Sequence, residues 1–155
     1  MNNKQKTILG FTLIELLTVI TIIGILSTIL VAGVNPARQF AKARDSQRET
    51  DLIGILSAIY QYSSEHSGAI PDTDGNAATS NFPTSLTCIG TGGSCFNLGA
   101  AGDTGEAIVP VYMANMPKDP QTGTDANTGY RIMVDANDRL VASASGETKT
   151  ISITR

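Results

Sequence analysis

An unbroken apolar run near the start of the chain, residues 11–34, constrains the fold more than any other feature. As a helix, its roughly 24 residues would span about 36 Å, enough to cross the ~30 Å hydrocarbon core of a bilayer. Glu15 is the only charged residue within the run. Because a carboxylate inside a spanning helix is costly, such residues are usually retained for function.

A short basic leader, residues 1–10, precedes the apolar run and contains Lys4 and Lys6. An ordinary secretory signal has a shorter apolar region, which is followed by a cleavage site of small residues. No such site follows this run. We therefore expect a cut before it, after Gly10, so that residues 11–34 stay in the mature protein as a transmembrane helix.

The combination of a basic leader, Gly10-Phe11 and Glu15 resembles the type III signal of prepilins. Prepilins are precursors of type IV pilins and of type II secretion pseudopilins. The resemblance implies cleavage between Gly10 and Phe11 by prepilin peptidase, N-methylation of Phe11, and polymerisation through residues 11–34. It also implies that Glu15 pairs with the Phe11 ammonium of a neighbouring subunit, since a buried charge needs a partner. The alternative for Glu15 is a tolerated charge that reaches the membrane interface.

The resemblance also implies partners and a location. The partners are further copies of the chain in a filament, prepilin peptidase, an assembly ATPase and a platform membrane protein. The location is a bacterial-type cytoplasmic membrane for the single-pass precursor, then an extracytoplasmic or cell-surface filament. The positive-inside rule favours the opposite orientation, because Arg38, Lys42, Arg44 and Arg48 follow the run. We follow the resemblance, which rests on a compound signal.

Residues 35–67 read as an amphipathic helix that follows a kink at Asn35-Pro36, since proline removes a backbone donor. Its apolar residues recur at helical spacing. Leu52, Leu56, Ile59 and Tyr60 are among them, and we expect Leu52, Leu56 and Ile59 to be buried against the sheet. Arg44 and Arg48 alternate with Asp45 and Glu49. Their spacing predicts solvated ion pairs on the opposite face.

Residues 68–155 read as a small loop-rich globular domain. Glu106–Met116 is a short apolar segment that suits either a helical turn or a strand. Three later runs have strand character: Tyr130–Val134, Leu140–Ser143 and Thr150–Thr154. Residues 135–138 separate the first two as a hairpin turn. The predicted fold class is α+β: a long N-terminal helix, apolar then amphipathic, packed on a small C-terminal antiparallel sheet.

Cys88 and Cys95 are the two cysteines of the chain. In an exported, loop-rich domain they favour an intrachain disulfide. The alternative is two free thiols, as expected in a reducing cytoplasm. The spacing matches no common zinc pattern, and His66 is the only histidine.

The sequence Pro-Lys-Asp-Pro at 117–120, followed by Tyr130, resembles a segment near the C-terminal loop of major pseudopilins, where a calcium ion is held. The implied oxygen ligands are Asp119, Asp125, Asn127, Asp135 and Asp138. The tryptophan and the tight glycine spacing common in that segment are absent, and the loop is longer. Solvated turn residues are therefore the alternative. The sequence indicates no cofactor other than this calcium ion.

Composition excludes some function classes. The net charge is −3, and loss of the two leader lysines would lower it by two, to about −5. A general nucleic-acid surface needs a basic face instead. The single histidine, with no recognisable nucleophile motif, predicts no catalytic residues and no enzyme. We predict a structural subunit of a type IV pilus-like filament. The alternatives are a major pseudopilin of a type II secretion-like system and a membrane-anchored binding module that does not polymerise.

Overall fold

The computed structural model describes residues 10–33, 35–74 and 80–155. The chain forms two compact units, divided between Ala37 and Arg38. The described residues contain two helices and a four-stranded antiparallel sheet, which confirms the α+β class. The elements are α1 (Leu13–Gly33), α2 (Pro36–Glu65), β1 (Thr87–Cys88), β2 (Tyr130–Val134), β3 (Leu140–Ala144) and β4 (Ile151–Thr154). The predicted leader, apart from Gly10, lies outside the described residues.

The helical part of the chain is interrupted where the sequence predicts a disturbance. The first helix ends at Gly33, and the second begins at Pro36. A proline in the first turn costs little, because first-turn amides have no partner within the helix. Pro36 therefore begins a helix here, whereas in a helix interior it would remove a hydrogen bond.

One face of α2 contributes to the core of the second unit. Its fully buried apolar side chains are Leu52, Ile55, Leu56 and Ile59. The expected burial of Leu52, Leu56 and Ile59 is confirmed. Tyr60, at the same helical spacing, is 37% exposed, whereas Tyr62 is 3% exposed. Tyr62 lies three residues after Ile59, on the same side of the helix, so Tyr62 rather than Tyr60 is the tyrosine that α2 contributes to the core.

The sheet supplies the other side of this core. Strand order is β1-β2-β3-β4, and every neighbouring pair is antiparallel. Ile132, Ala142 and Ile151 join the buried side chains of α2 in one cluster. The three predicted strands are confirmed to within one residue at each end. The two-residue strand β1 was not predicted, because two residues carry no periodicity.

The predicted hairpin turn between β2 and β3 is also confirmed. Asp135 Oδ1 accepts hydrogen bonds from the amides of Asn137 (2.8 Å) and Arg139 (3.0 Å). Asp138 has φ +58°, the left-handed conformation that aspartate tolerates in turns. The apolar segment before this hairpin forms a turn at Ile108–Tyr112 that includes a cis Val109–Pro110 bond.

The prediction of solvated ion pairs on α2 is wrong for Arg48 and Asp45. Their side chains are each 2% exposed, and Arg48 Nη1 lies 2.7 Å from Asp45 Oδ1. Arg48 also pairs with Asp119 and with Glu147. The hydrogen bond from Arg48 holds the pKa of the Asp119 carboxyl well below its usual range. A buried charge needs such partners, and the sequence places them far away along the chain.

Asp45 connects the same network to the segment between β3 and β4. Its carboxylate accepts hydrogen bonds from the amides of Glu147 and Thr148 and from the Thr148 hydroxyl. The Thr148 hydroxyl is the main cause of the lowered Asp45 pKa. Arg44 pairs with Glu147 at 2.6 Å, so its partner also lies across the fold. The charged face of α2 is therefore joined by ion pairs and hydrogen bonds to the segment between β3 and β4.

Candidate processing and assembly site

The bond predicted to be cut lies in exposed, non-helical chain. Gly10 and Phe11 precede α1, which begins at Leu13, and Phe11 is 87% exposed. A side chain at position 10 would meet no other atom within 4 Å. Exposed chain of this kind is open to a peptidase, because no helix must unwind first.

Thr12 and Glu15 form a capping box at the start of α1. The Thr12 amide donates to Glu15 Oε2 at 2.9 Å, and the Thr12 hydroxyl donates to the same oxygen at 2.8 Å. In return, the Glu15 amide donates to Thr12 Oγ1 at 3.3 Å. Two amides that no helical carbonyl reaches are satisfied in this way. The sequence signal for this box is Thr-x-x-Glu before an apolar run.

The capping box gives Glu15 a local role and leaves one oxygen available. Both bonds from Thr12 reach Oε2, and Oε1 accepts no hydrogen bond from the described part of the chain. A carboxylate can accept about four hydrogen bonds over its two oxygens. The same side chain can therefore cap its own helix and bind a cation.

The rest of α1 is apolar on every side. Among its exposed large side chains are Leu13, Ile14, Leu16, Leu17, Val19, Ile20, Ile22 and Ile23. By length and composition, one helix in the described part of the chain could cross a membrane, over the window Leu13–Leu30. No part of that window is buried in the structure.

The hydroxyl groups of α1 are satisfied within the helix. Thr18 donates to the carbonyl three residues earlier, and Thr21, Ser27 and Thr28 donate to the carbonyls four residues earlier. The distances are between 2.7 and 3.0 Å. Such bonds remove the need for water, which is the condition for placing a hydroxyl in hydrocarbon.

Comparison with protein families identifies this segment. Residues 6–31 match the family model described as the prokaryotic N-terminal methylation motif. The segment is a prepilin-type signal. The match spans the predicted bond after Gly10, the capping box and most of α1, and the predicted pilin or pseudopilin type of signal is thereby confirmed. No curated protein and no solved structure matches the chain.

The predicted disulfide is present downstream of this signal. Cys88 and Cys95 are bonded, with an S–S distance of 2.02 Å. The amide of Phe96 donates to the Cys88 carbonyl at 2.7 Å, so the two arms also pair through the backbone. Gly90 lies within this loop, and a side chain there would overlap the Ala126 carbonyl. The disulfide loop is therefore packed closely on the loop before β2.

The five calcium candidates belong to separate hydrogen-bonded groups. Asp119 binds Arg48, Asp125 pairs with Lys118 at 2.7 Å, and Asp135 pairs with Arg139 at 2.8 Å. The Asn127 side chain accepts from the amide of Gly129, and Asp138 lies in the β2–β3 turn. Among residues 10–33, 35–74 and 80–155, no three His, Cys, Asp or Glu side chains are arranged to hold a metal ion. Calcium binding stays a prediction.

Proposed function

We propose that this protein is a structural subunit of a type IV pilus-like filament. The precursor is a single-pass protein of the cytoplasmic membrane, and prepilin peptidase cuts it between Gly10 and Phe11 and methylates Phe11. The mature chain polymerises through α1 into a filament outside the cytoplasm. The observation that carries this proposal is a prepilin-type signal joined to a helix whose apolar side chains are exposed on every side.

The exposed apolar surface of α1 favours polymerisation. Burying one large aliphatic side chain contributes about 1.5–3 kcal/mol. Once α1 leaves the bilayer, its side chains need another apolar surface, and further copies of α1 provide one. A helix with apolar residues all round suits burial among several neighbours, whereas a single stripe suits one partner.

Glu15 gives the packed helices a fixed register. In the filament, Oε1 accepts from the Phe11 ammonium of a neighbouring subunit, while Oε2 keeps its bonds to Thr12. Pairing avoids an isolated charge among apolar helices, and any slipped register would leave both charges without partners. The chain is thus the substrate of a peptidase and has no catalytic role of its own. Its machinery also includes an assembly ATPase and a platform membrane protein.

Native filaments provide the direct test. Surface filaments sheared from cells that carry the gene should contain this chain with methylated Phe11 as its first residue. Electron cryomicroscopy of those filaments should show α1 helices at the centre and the second unit outside. Short filaments that form only on overexpression, together with a secretion defect on deletion, would instead identify a pseudopilin. Processed protein that stays in the membrane fraction as a monomer would identify a membrane-anchored module and contradict polymerisation.

A further inference from the structure

His66, the only histidine of the chain, lies directly after α2 and connects it to the loop 98–107. Its Nδ1 lies 2.8 Å from the carbonyl oxygen of Tyr62, one turn earlier. Its Nε2 lies 3.0 Å from Glu106 Oε2 and 3.5 Å from Asp103 Oδ2. Both ring nitrogens therefore face oxygen atoms of the protein.

The oxygens around His66 require a proton on each ring nitrogen. The Tyr62 carbonyl can only accept, so Nδ1 must donate. The ionised Glu106 carboxylate also can only accept, so Nε2 must donate as well. Neutral imidazole carries a single N–H and can satisfy only one of the two contacts. The geometry therefore fits the imidazolium form, the cation that histidine adopts near neutral pH.

Aromatic packing fixes the orientation of this ring. His66 stacks on Tyr62 with centroids 4.0 Å apart and an interplanar angle of 11°. Tyr62 in turn meets Tyr112 edge to face at 5.6 Å. The His66 side chain is 18% exposed, so protons can exchange with solvent while the ring stays in place.

The loop that His66 contacts is held at both ends by backbone bonds. The Gly102 amide donates to the Asp72 carbonyl at 2.8 Å, and the Ile108 amide donates to the Ala101 carbonyl at 2.9 Å. Between them, Asp103 and Glu106 are mainly exposed, with side chains 71% and 55% accessible. Their contacts with His66 attach this stretch to α2 by charge. Asp103 also interacts with the Tyr62 hydroxyl, an attachment that does not depend on the His66 proton.

The other titratable groups around His66 are Glu65, Asp72, Tyr62 and Tyr112. Glu65 on α2 accepts a hydrogen bond from the Tyr112 hydroxyl at 2.9 Å. The negative charge of Asp72, in the segment after α2, contributes to the raised pKa of Tyr62. Burial raises the pKa of Tyr112 to about 12, with a further contribution from Glu65, and burial raises the pKa of Tyr62 as well. Both tyrosines are therefore neutral between about pH 5 and 8, because the pKa of a tyrosine hydroxyl is usually about 10 and is raised further here. A cation at a helix C-terminus is also favoured by the helix dipole.

We propose that His66 is a pH-sensitive clasp: its protonated ring holds the exposed stretch 102–107 of this loop on the end of α2, and loss of the proton releases that stretch. The hydrogen bond to the Tyr62 carbonyl is the main cause that raises the His66 pKa, opposed by burial and assisted by Glu106 and Asp103. Because the folded value is raised, the clasp is fully formed below the unfolded value of about 6.5 and is lost as pH rises through the folded value. The clasp acts whether or not the chain polymerises.

Nuclear magnetic resonance of the full chain in detergent micelles tests the clasp, since one histidine gives one Cε1–Hε1 signal. We expect its titration midpoint to lie above about 6.5. Amide exchange at Gly102 and Ile108, corrected for the intrinsic effect of pH, should be slow in acid. The opening constant should rise by up to about tenfold for each pH unit between the unfolded and folded midpoints.

Three variants separate the clasp from other pH effects. His66→Gln cannot titrate, so exchange at Gly102 and Ile108 should lose its pH step. Glu106→Gln keeps the ring and removes one carboxylate, so the His66 midpoint should fall. Glu49→Gln removes an exposed carboxylate of α2 that pairs with Lys149, and it should leave the midpoint unchanged. A wild-type midpoint at or below 6.5, or a pH step that survives in His66→Gln, would overturn the proposal. If His66→Gln fails to fold, the Glu106→Gln titration decides alone.

Discussion

Arg48 on α2 and Asp119, 71 residues later, form a buried ion pair in which Nε lies 2.6 Å from Oδ2. Asp119 Oδ1 also accepts from the amides of Gln121 and Thr122, at 2.8 and 2.9 Å. The pair therefore fixes the backbone of the loop before β2 on the helix. Because both charged side chains are almost entirely buried, removal of either one would leave the other in the interior without this partner.

Asp119→Asn should destabilise the fold by about 3 kcal/mol, since breaking a buried pair leaves the remaining charge in the interior. The value lies at the lower end of the usual range because Asp45 and Glu147 still bind Arg48. Thermal unfolding of the full chain in micelles, followed by circular dichroism, measures the change. The control is Asp125→Asn in the same loop, where the side chain is 80% exposed and an effect within about 0.5 kcal/mol is expected. Equal effects of the two variants would contradict the role of the pair.

The same network predicts a loss of stability in acid. Hydrogen bonds hold the pKa values of Asp45 and Asp119 below their usual range. Because the folded values are depressed, their stabilisation is present above the unfolded value of about 3.9 and is lost as pH falls through the folded values. We expect the unfolding midpoint to fall steeply below about pH 4. Asp119→Asn should flatten that dependence, and an unchanged slope would count against this assignment.

Gly10→Val should block processing, because a branched side chain then occupies the position before the predicted bond. Intact-mass measurement of protein from native membranes should find the leader still attached. The matched control is Gly24→Ala within α1, where an added side chain meets no atom within 4 Å, and processing should be normal. A wild-type protein that retains Met1, or one cut beyond Val34, would refute cleavage after Gly10.

Glu15→Gln and Thr12→Val should separate assembly from helix capping. Glutamine can still complete the capping box but cannot neutralise an ammonium, so filament yield should fall sharply while membrane insertion persists. Thr12→Val removes the hydroxyl that binds Glu15 and keeps the carboxylate, so the helix start is destabilised by about 1 kcal/mol. The measurement for each variant is the yield of filaments sheared from the cells that express it. Abundant filaments from Glu15→Gln would show that the charge is dispensable.

Residues 37–155 should fold as a soluble monomer with no free thiol after oxidative export. The expectation follows from the division of the chain between Ala37 and Arg38 and from the bonded Cys88 and Cys95. Thiol alkylation followed by mass analysis gives the count. Closing so short a loop contributes less than about 3 kcal/mol, so the variant with both cysteines changed to alanine should fold with a lower midpoint. Two alkylatable cysteines in native protein would favour the cytoplasmic orientation.

Calcium in the loop between Asp119 and Asp138 is tested by melting the same fragment with millimolar calcium and with chelator. Binding to the folded state alone raises the midpoint with the logarithm of concentration. Calcium must here compete with Lys118 for Asp125 and with Arg139 for Asp135. A rise that Asp125→Ala or Asp135→Ala abolishes would support a pseudopilin-like site. An unchanged midpoint would remove the site.

The parts of the fold that the sequence predicts are those with a local cause. Pro36 begins a helix because of its own ring, and the turn at Asp135 forms through bonds to the next few residues. The burial of Arg48 has no local cause, since its partners Asp119 and Glu147 come from distant segments. A charged helix face therefore looks the same in the sequence whether water or a carboxylate covers it. The Thr12–Glu15 box was predictable, because its signal spans four residues.

The internal bonding of the α1 hydroxyls has a consequence for any change of surroundings. Thr18, Thr21, Ser27 and Thr28 donate to carbonyls of their own helix. In the proposed assembly, none of these bonds would need to break if the helix moved from lipid into protein. Movement of α1 between lipid and protein, in either direction, would then exchange one set of apolar contacts for another. Glu15 is the only charged side chain of α1. In the proposed assembly it alone would need a new partner for its charge, so the free-energy difference between the two environments would be concentrated at the start of the helix.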